Sequence, residues 1–108
     1  MANLEPALLY IGNASDQVVY TCQKKYSIIK SVNVCNNSAG ERKFSIHLLA
    51  DGFNPGDTNA LINDVTITGN NVLDWDTSIV IPENGEIFIK QDTGTDLTFT
   101  ISGVENVI

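Results

Sequence analysis

Few side chains in this sequence belong to types that perform chemistry, and they are scattered. There is a single histidine, His47. It sits on the polar side of an alternating run, where an isolated imidazole decorates a surface more often than it acts as a base or ligand. No second histidine and no Cys-x-x-Cys pair is present to complete a zinc site. The two cysteines, Cys22 and Cys35, have no histidine beside them in sequence. A cysteine–histidine hydrolase would need Cys35 and His47 on one outer face of neighbouring strands. Carboxylate pairs occur at Asp74/Asp76 and Asp92/Asp96, in positions that read as strand-end and turn residues rather than as a glycosidase pair. Asp51, Asn54, Asp57 and Asn59 place four hard oxygen donors within one loop, a candidate calcium wrap. The order lacks the EF-hand ligand pattern and its closing glutamate, and the same residue types build any long hairpin loop. No glycine-rich loop precedes a helix, so nucleotide phosphates have no cradle. Trp75, between Asp74 and Asp76, reads equally as a core anchor or as an interface aromatic. The expected catalytic set is therefore empty, and no cofactor is expected.

The elements that position these residues are strands. Isoleucine, valine and threonine number 12, 9 and 9, against 14 for alanine and leucine together. β-Branched side chains are stiff at χ1 and pack well on a pleated surface. Leu97, Phe99 and Ile101 alternate with Thr98, Thr100 and Ser102 in the cleanest period of two. Phe44, Ile46 and Leu48 alternate with Ser45, His47 and Leu49; Ile87 and Ile89 with Glu86, Phe88 and Lys90; Val65 and Ile67 with Thr66 and Thr68. Ile28, Val32 and Val34 share a parity with Lys30, which must then snorkel or lie at an edge. Further runs are Leu8–Ile11, residues 17–22, Val72–Trp75 and Ser78–Ile81, and only Asn59–Asp64 suggests a helical turn. Clusters of asparagine, aspartate and glycine separate these runs every 8–12 residues or so. The expectation is an all-β chain: one antiparallel β-sandwich, jelly-roll-like, of about eight short strands, spanning 1–108 as a single domain. Residues 17–22 and 26–36 are expected to pair as a hairpin about Gln23–Lys25, keeping Cys22 and Cys35 beyond disulfide reach.

Charge and ends narrow the partners. Thirteen acids against six bases give −7, and the pI near 4.3 argues against nonspecific nucleic acid or anionic membrane binding. The excess is uneven: 1–43 carries +2 and 44–108 carries −9, with Lys90 as its sole base. Such a face stays solvated, or meets a basic partner or a cation. No apolar run approaches a membrane span of about 20 residues. The opening Met-Ala-Asn-Leu-Glu-Pro lacks a basic n-region and a long apolar stretch, so no signal peptide and two free thiols are expected. On that expectation the glycosylation patterns at Asn13 and Asn36 carry no meaning.

Read in order, the chain runs Tyr20-Thr21, then Ile28-Ile29-Lys30-Ser31-Val32-Asn33-Val34-Cys35-Asn36. It continues with the alternating Phe44–Leu48, with Gly85-Glu86-Ile87, and with Ile101-Ser102-Gly103-Val104-Glu105. This order resembles the small β-sandwich structural proteins of tailed-bacteriophage virions, over nearly the whole chain. It departs from their pattern in the turn Cys22–Lys25, where proline with glycine or asparagine is usual, and in a longer Asp51–Asn59 loop. The resemblance implies a non-enzymatic virion protein made in the host cytoplasm, a capsid decoration (cement) protein that stabilises the head. A tail, neck or baseplate component is the alternative, and a carbohydrate-binding module of a phage fibre, stacking sugars on Trp75 and tyrosines, is a second. The implied partners are the major capsid protein or tail proteins. Apolar residues on both parities at Ile28/Ile29, Leu48/Leu49 and Ile87/Phe88 call for a second copy or a neighbour to cover them, and the capsid role that the resemblance implies, with its three-fold positions, favours a homo-oligomeric trimer. Leu49, Phe53, Val80 and Phe88 are expected as exposed apolar patches. The strands at the two ends, Leu8–Ile11 and Leu97–Val104, are expected at covered sheet edges.

Overall fold

The computed structural model describes residues 3–50 and 52–107, with the backbone alone at Asp57. Eight strands follow one another: β1 Leu4–Gly12, β2 Gln17–Thr21, β3 Tyr26–Asn36, β4 Arg42–Leu49, β5 Ala60–Ile67, β6 Val72–Pro82, β7 Glu86–Gln91 and β8 Leu97–Asn106. A 3-10 turn, Asp57–Asn59, leads into β5. Of Asn59–Asp64, the one stretch whose sequence suggests a helical turn, Asn59 ends the 3-10 turn and the remaining residues are strand. The chain is all-β, as its alternation predicts.

Two four-stranded antiparallel sheets form a sandwich, in the orders β1-β8-β3-β6 and β2-β7-β4-β5. This is jelly-roll order: consecutive strands mostly alternate between sheets, and the first strand lies beside the last. Among the described residues only β4 and β5 pair as sequence neighbours. The hairpin expected between residues 17–22 and 26–36 does not form, because β2 joins β7 in one sheet and β3 joins β8 and β6 in the other. Strand β8 is correspondingly interior; the edges are β1, β6, β2 and β5.

The core is the set of inward side chains that the period of two selects. Leu97, Phe99 and Ile101 from β8, Ile87 and Ile89 from β7, and Phe44 and Ile46 from β4 are all buried. Phe44 and Phe99 meet edge-to-face across the two sheets, with centroids 5.6 Å apart. The 72–75 and 78–81 runs merge into the single β6, whose register against β3 slips between the Ile29–Ile79 and Ser31–Asp76 pairs. At the same place Lys30 is an extra residue on β3 against β8. This bulge resolves the parity conflict at Lys30. Ser27 and Ile29 point inward before it, Val32, Val34 and Asn36 after it, and Lys30 stands exposed with Nζ donating to Ser78 Oγ at 3.0 Å. Opposite it, Gly103 admits the Ile28 carbonyl where any Cβ would collide with it.

Two buried amides hold one end of the sandwich. Asn36 Nδ2 faces the carbonyls of Gly40, Ile67 and Thr68, while its Oδ1 accepts from the Ser38 N–H and hydroxyl. Gln91 Nε2 donates toward the Asn13, Ala14 and Leu97 carbonyls, and its Oε1 accepts from the Leu97 N–H. Each amide replaces water for several loop carbonyls at once, which is how a buried polar group becomes tolerable.

Candidate functional site

Alternation along β4 turns Ser45, His47 and Leu49 to the outer face, where solvent is expected. All three are buried, and His47 is only 7 % exposed. Pro55, Gly56 and Asn59 of the loop after β4 come back to the sheet beside His47. In register, His47 lies between Phe88 of β7 and Ala60 of β5, and its ring meets Phe88 edge-on at 5.9 Å. Ser45 fills the opening of a bulge in β5. Its hydroxyl accepts the Asp64 N–H at 2.9 Å and reaches Asn63 Oδ1 at 3.5 Å, beside the positive φ of 50° at Asp64.

The loop is tied to the histidine by Asn59. Its Nδ2 donates to the Asn54 carbonyl at 2.8 Å and its Oδ1 accepts the Gly56 N–H at 3.0 Å, which fixes the orientation of the amide. The same Oδ1 lies 2.8 Å from His47 Nδ1. An oxygen that only accepts requires a proton on Nδ1, so in the neutral imidazole Nε2 is the acceptor. The His47 side chain borders a cavity of about 400 Å³. Asn63, Asp64, Phe88, Lys90 and Asp16 line that cavity with His47. Its neighbour Ser45 already spends its hydroxyl on the β5 bulge, so the arrangement offers hydrogen-bond acceptors rather than an activated nucleophile.

The other sequence candidates fall elsewhere. Cys35 and His47 lie on different sheets, each on its outer face, so no cysteine–histidine pair forms. Cys22 is fully buried, and both thiols are free. Of the proposed calcium ligands, Asp51 and the side chain of Asp57 lie outside the described residues. Asn59 is unsuited to the role, since its oxygen already accepts from Gly56 and meets His47. Among the described residues no three His, Cys, Asp or Glu side chains are grouped to hold a metal ion. Asp74 accepts from the Asn33 amide, Asp92 from the Lys43 N–H at 3.0 Å, and Asp96 pairs with Arg42 at 3.0 Å. Asn36 is too deeply hydrogen-bonded to present a glycan. Trp75 lies on the inward face of β6, half-buried against the core. Of the expected exposed patches, Phe53 and Val80 are exposed, Phe88 is half-buried, and Leu49 is buried.

One cluster has no counterpart in the sequence reading. Tyr20 of β2 crosses between the sheets and donates to Glu105 Oε2 at 2.6 Å, and Ser27 Oγ lies 2.7 Å from the phenol oxygen. Cys22 Sγ continues the chain to Ser27 at 3.3 Å. Burial pushes the phenol pKa well above its usual range near 10, and the hydrogen bond to Glu105 raises it further. The only sequence signal was the even spacing of Val18 and Tyr20, which says nothing of a partner 85 residues away.

No protein-family model matches this chain, and no curated protein matches it.

Proposed function

We propose that this chain is a non-catalytic structural component of a tailed-phage virion, a capsid decoration protein acting as a homo-oligomer, with a trimer the first state to test. One observation carries the reading: Ser45 and His47 are engaged in holding the β4–β5 segment, while apolar side chains stand exposed on the outer face of the β1-β8-β3-β6 sheet. Leu8 and Ile11 on the edge strand β1 are 60 % and 62 % exposed, and Val80 on the opposite edge 55 %. Register places Pro6, Val104, Ile28 and Val80 side by side across that sheet. A row of apolar side chains crossing all four strands suits contact with a neighbouring subunit or a shell. Jelly rolls also occur in viral capsid and lectin domains, which supports the reading by analogy only.

The sugar-binding alternative draws less support, since Trp75 faces inward and the Tyr20 hydroxyl is committed to Glu105. A tail, neck or baseplate position would use the same surface. The test is co-sedimentation of the purified chain with assembled heads and with tails at low and high salt, beside light scattering of the free chain. The reading expects association with heads, weakened by salt where the acidic half meets a basic patch. Association with tails alone would move the protein to the alternative position. A stable monomer bound to neither would refute a structural role.

A further inference from the structure

The two sides of the sandwich are closed differently. On the side of β1 and β2, Tyr10 and Tyr20 fill the gap between sheets with satisfied hydroxyls: Tyr10 accepts the Ala14 N–H at 3.0 Å and Tyr20 donates to Glu105. On the opposite side the edges are β5 and β6, one from each sheet, and they are not hydrogen-bonded to each other. Leu61, Ile62 and Val65 of β5 and Leu73 and Trp75 of β6 are left half-buried against the core. An opening of about 400 Å³ lies among these five residues, and Leu61 continues it into a second of about 340 Å³ beside Phe53 and Pro82. The indole N–H of Trp75 donates to no group among the described residues.

We infer that this groove receives an extended segment of a partner protein, alternating apolar and basic residues, which adds to the β6 edge as a fifth strand. Backbone pairing selects β6 over β5. Its stretch Val72–Asp76 pairs regularly with β3 and leaves its other edge open, whereas β5 is broken by the bulge at Asp64. Strand geometry sets the partner's pattern. Every second residue of an added strand turns inward over Trp75, Leu61 and Val65, where an apolar side chain is required. The intervening residues lie on the outer face beside Asp74 and Asp76, where lysine or arginine is favoured. The same two aspartates disfavour a second copy of this chain pairing β6 to β6, because like charges would be set side by side.

The inference rests on the structural-component reading for the partner being a protein, but its test uses the isolated chain. Trp75 is the only tryptophan in the sequence, so its emission reports the groove directly. An end-capped octapeptide of alternating valine and lysine should shift that emission saturably and move the backbone amide resonances of residues 72–76. Replacing both aspartates, Asp74→Lys and Asp76→Lys, should weaken binding about tenfold or more and raise the affinity for a valine–glutamate octapeptide. Both sites are exposed, and circular dichroism checks that the variant stays folded. Equal response to the two peptides, no saturable shift, or a shift that follows only the protein's own concentration would overturn the inference. Peptide binding by a chain that joins neither heads nor tails would refute the virion role and leave the groove standing.

Discussion

Tyr20 and Glu105 sit on different sheets and at opposite ends of the sequence, yet their oxygens are 2.6 Å apart inside the sandwich. The bond closes the β1–β2 side and sets an alkaline limit on stability. In the folded state the phenol keeps its proton above the ordinary value near 10, so the unfolded chain loses it first. The contribution is complete below about pH 10 and falls as the pH rises past it. Urea midpoints should therefore drop between about pH 8 and about pH 11 in the native sequence. Tyr20→Phe should start lower by roughly 1.5–3 kcal/mol and show a shallower decline, so the gap narrows with pH. A gap that stays constant or widens would contradict this assignment.

His47 is expected to matter for the loop and not for any reaction. Removing the ring by His47→Ala frees Asn59 Oδ1 from one partner and opens space beside Phe88. The expected cost is about 1–3 kcal/mol, with faster amide exchange at Gly56 and Asn59. On the proposed virion role, assembly in a phage carrying the variant should remain near normal. A well-folded variant that fails to assemble would assign the cavity beside His47 a direct role.

Gly103 should tolerate no side chain. A methyl group there meets the Ile28 carbonyl across the β3 bulge, so Gly103→Ala should destabilise by about 1–3 kcal/mol through strain between strands. Ala7→Gly, at the neighbouring register position on β1, serves as a control for simple changes in strand propensity. Equal stability of Gly103→Ala and the native chain would show that β3 shifts freely.

The two thiols should react at different rates. Cys35 is half-buried on the outer face of β3, while Cys22 is sealed among Ser27 and Tyr20. Under native conditions a small alkylating reagent should label Cys35 first, and Cys22 only as the chain opens. Intact mass should show no loss of two protons to a bridge. Labelling of both thiols at one rate would mean that the interior between β2 and β3 opens readily.

Most strands were legible because a half-buried strand writes its orientation into every second residue. Leu97, Phe99 and Ile101 all point inward as their alternation requires. The reading failed where a neighbour decides the outcome. Lys30 broke the parity because a bulge inserts one residue, and no local pattern marks which residue is extra. Strand partners were misjudged about Gln23–Lys25 because a short polar connection looks the same in a hairpin as in a crossing between sheets. His47 read as exposed because its burial comes from Asn59, twelve residues further along. Asn36 and Gln91 carry no local signal of their burial, since nothing nearby in sequence shows which distant carbonyls they serve.

The placement of β1 beside β8 has a consequence for synthesis on the ribosome. The first strand's only in-sheet neighbour is the last, and β3 also needs β6 and β8 for its pairing. The nascent chain can close just one sequence-local pair, β4 with β5, before most of the polypeptide has emerged. Until then the inward Leu9 of β1 and the inward faces of β3 and β4 have nothing to cover them. Such non-local pairing makes folding slow and leaves the unfinished chain open to association. Truncation before β8 should therefore yield insoluble fragments rather than a smaller folded sandwich.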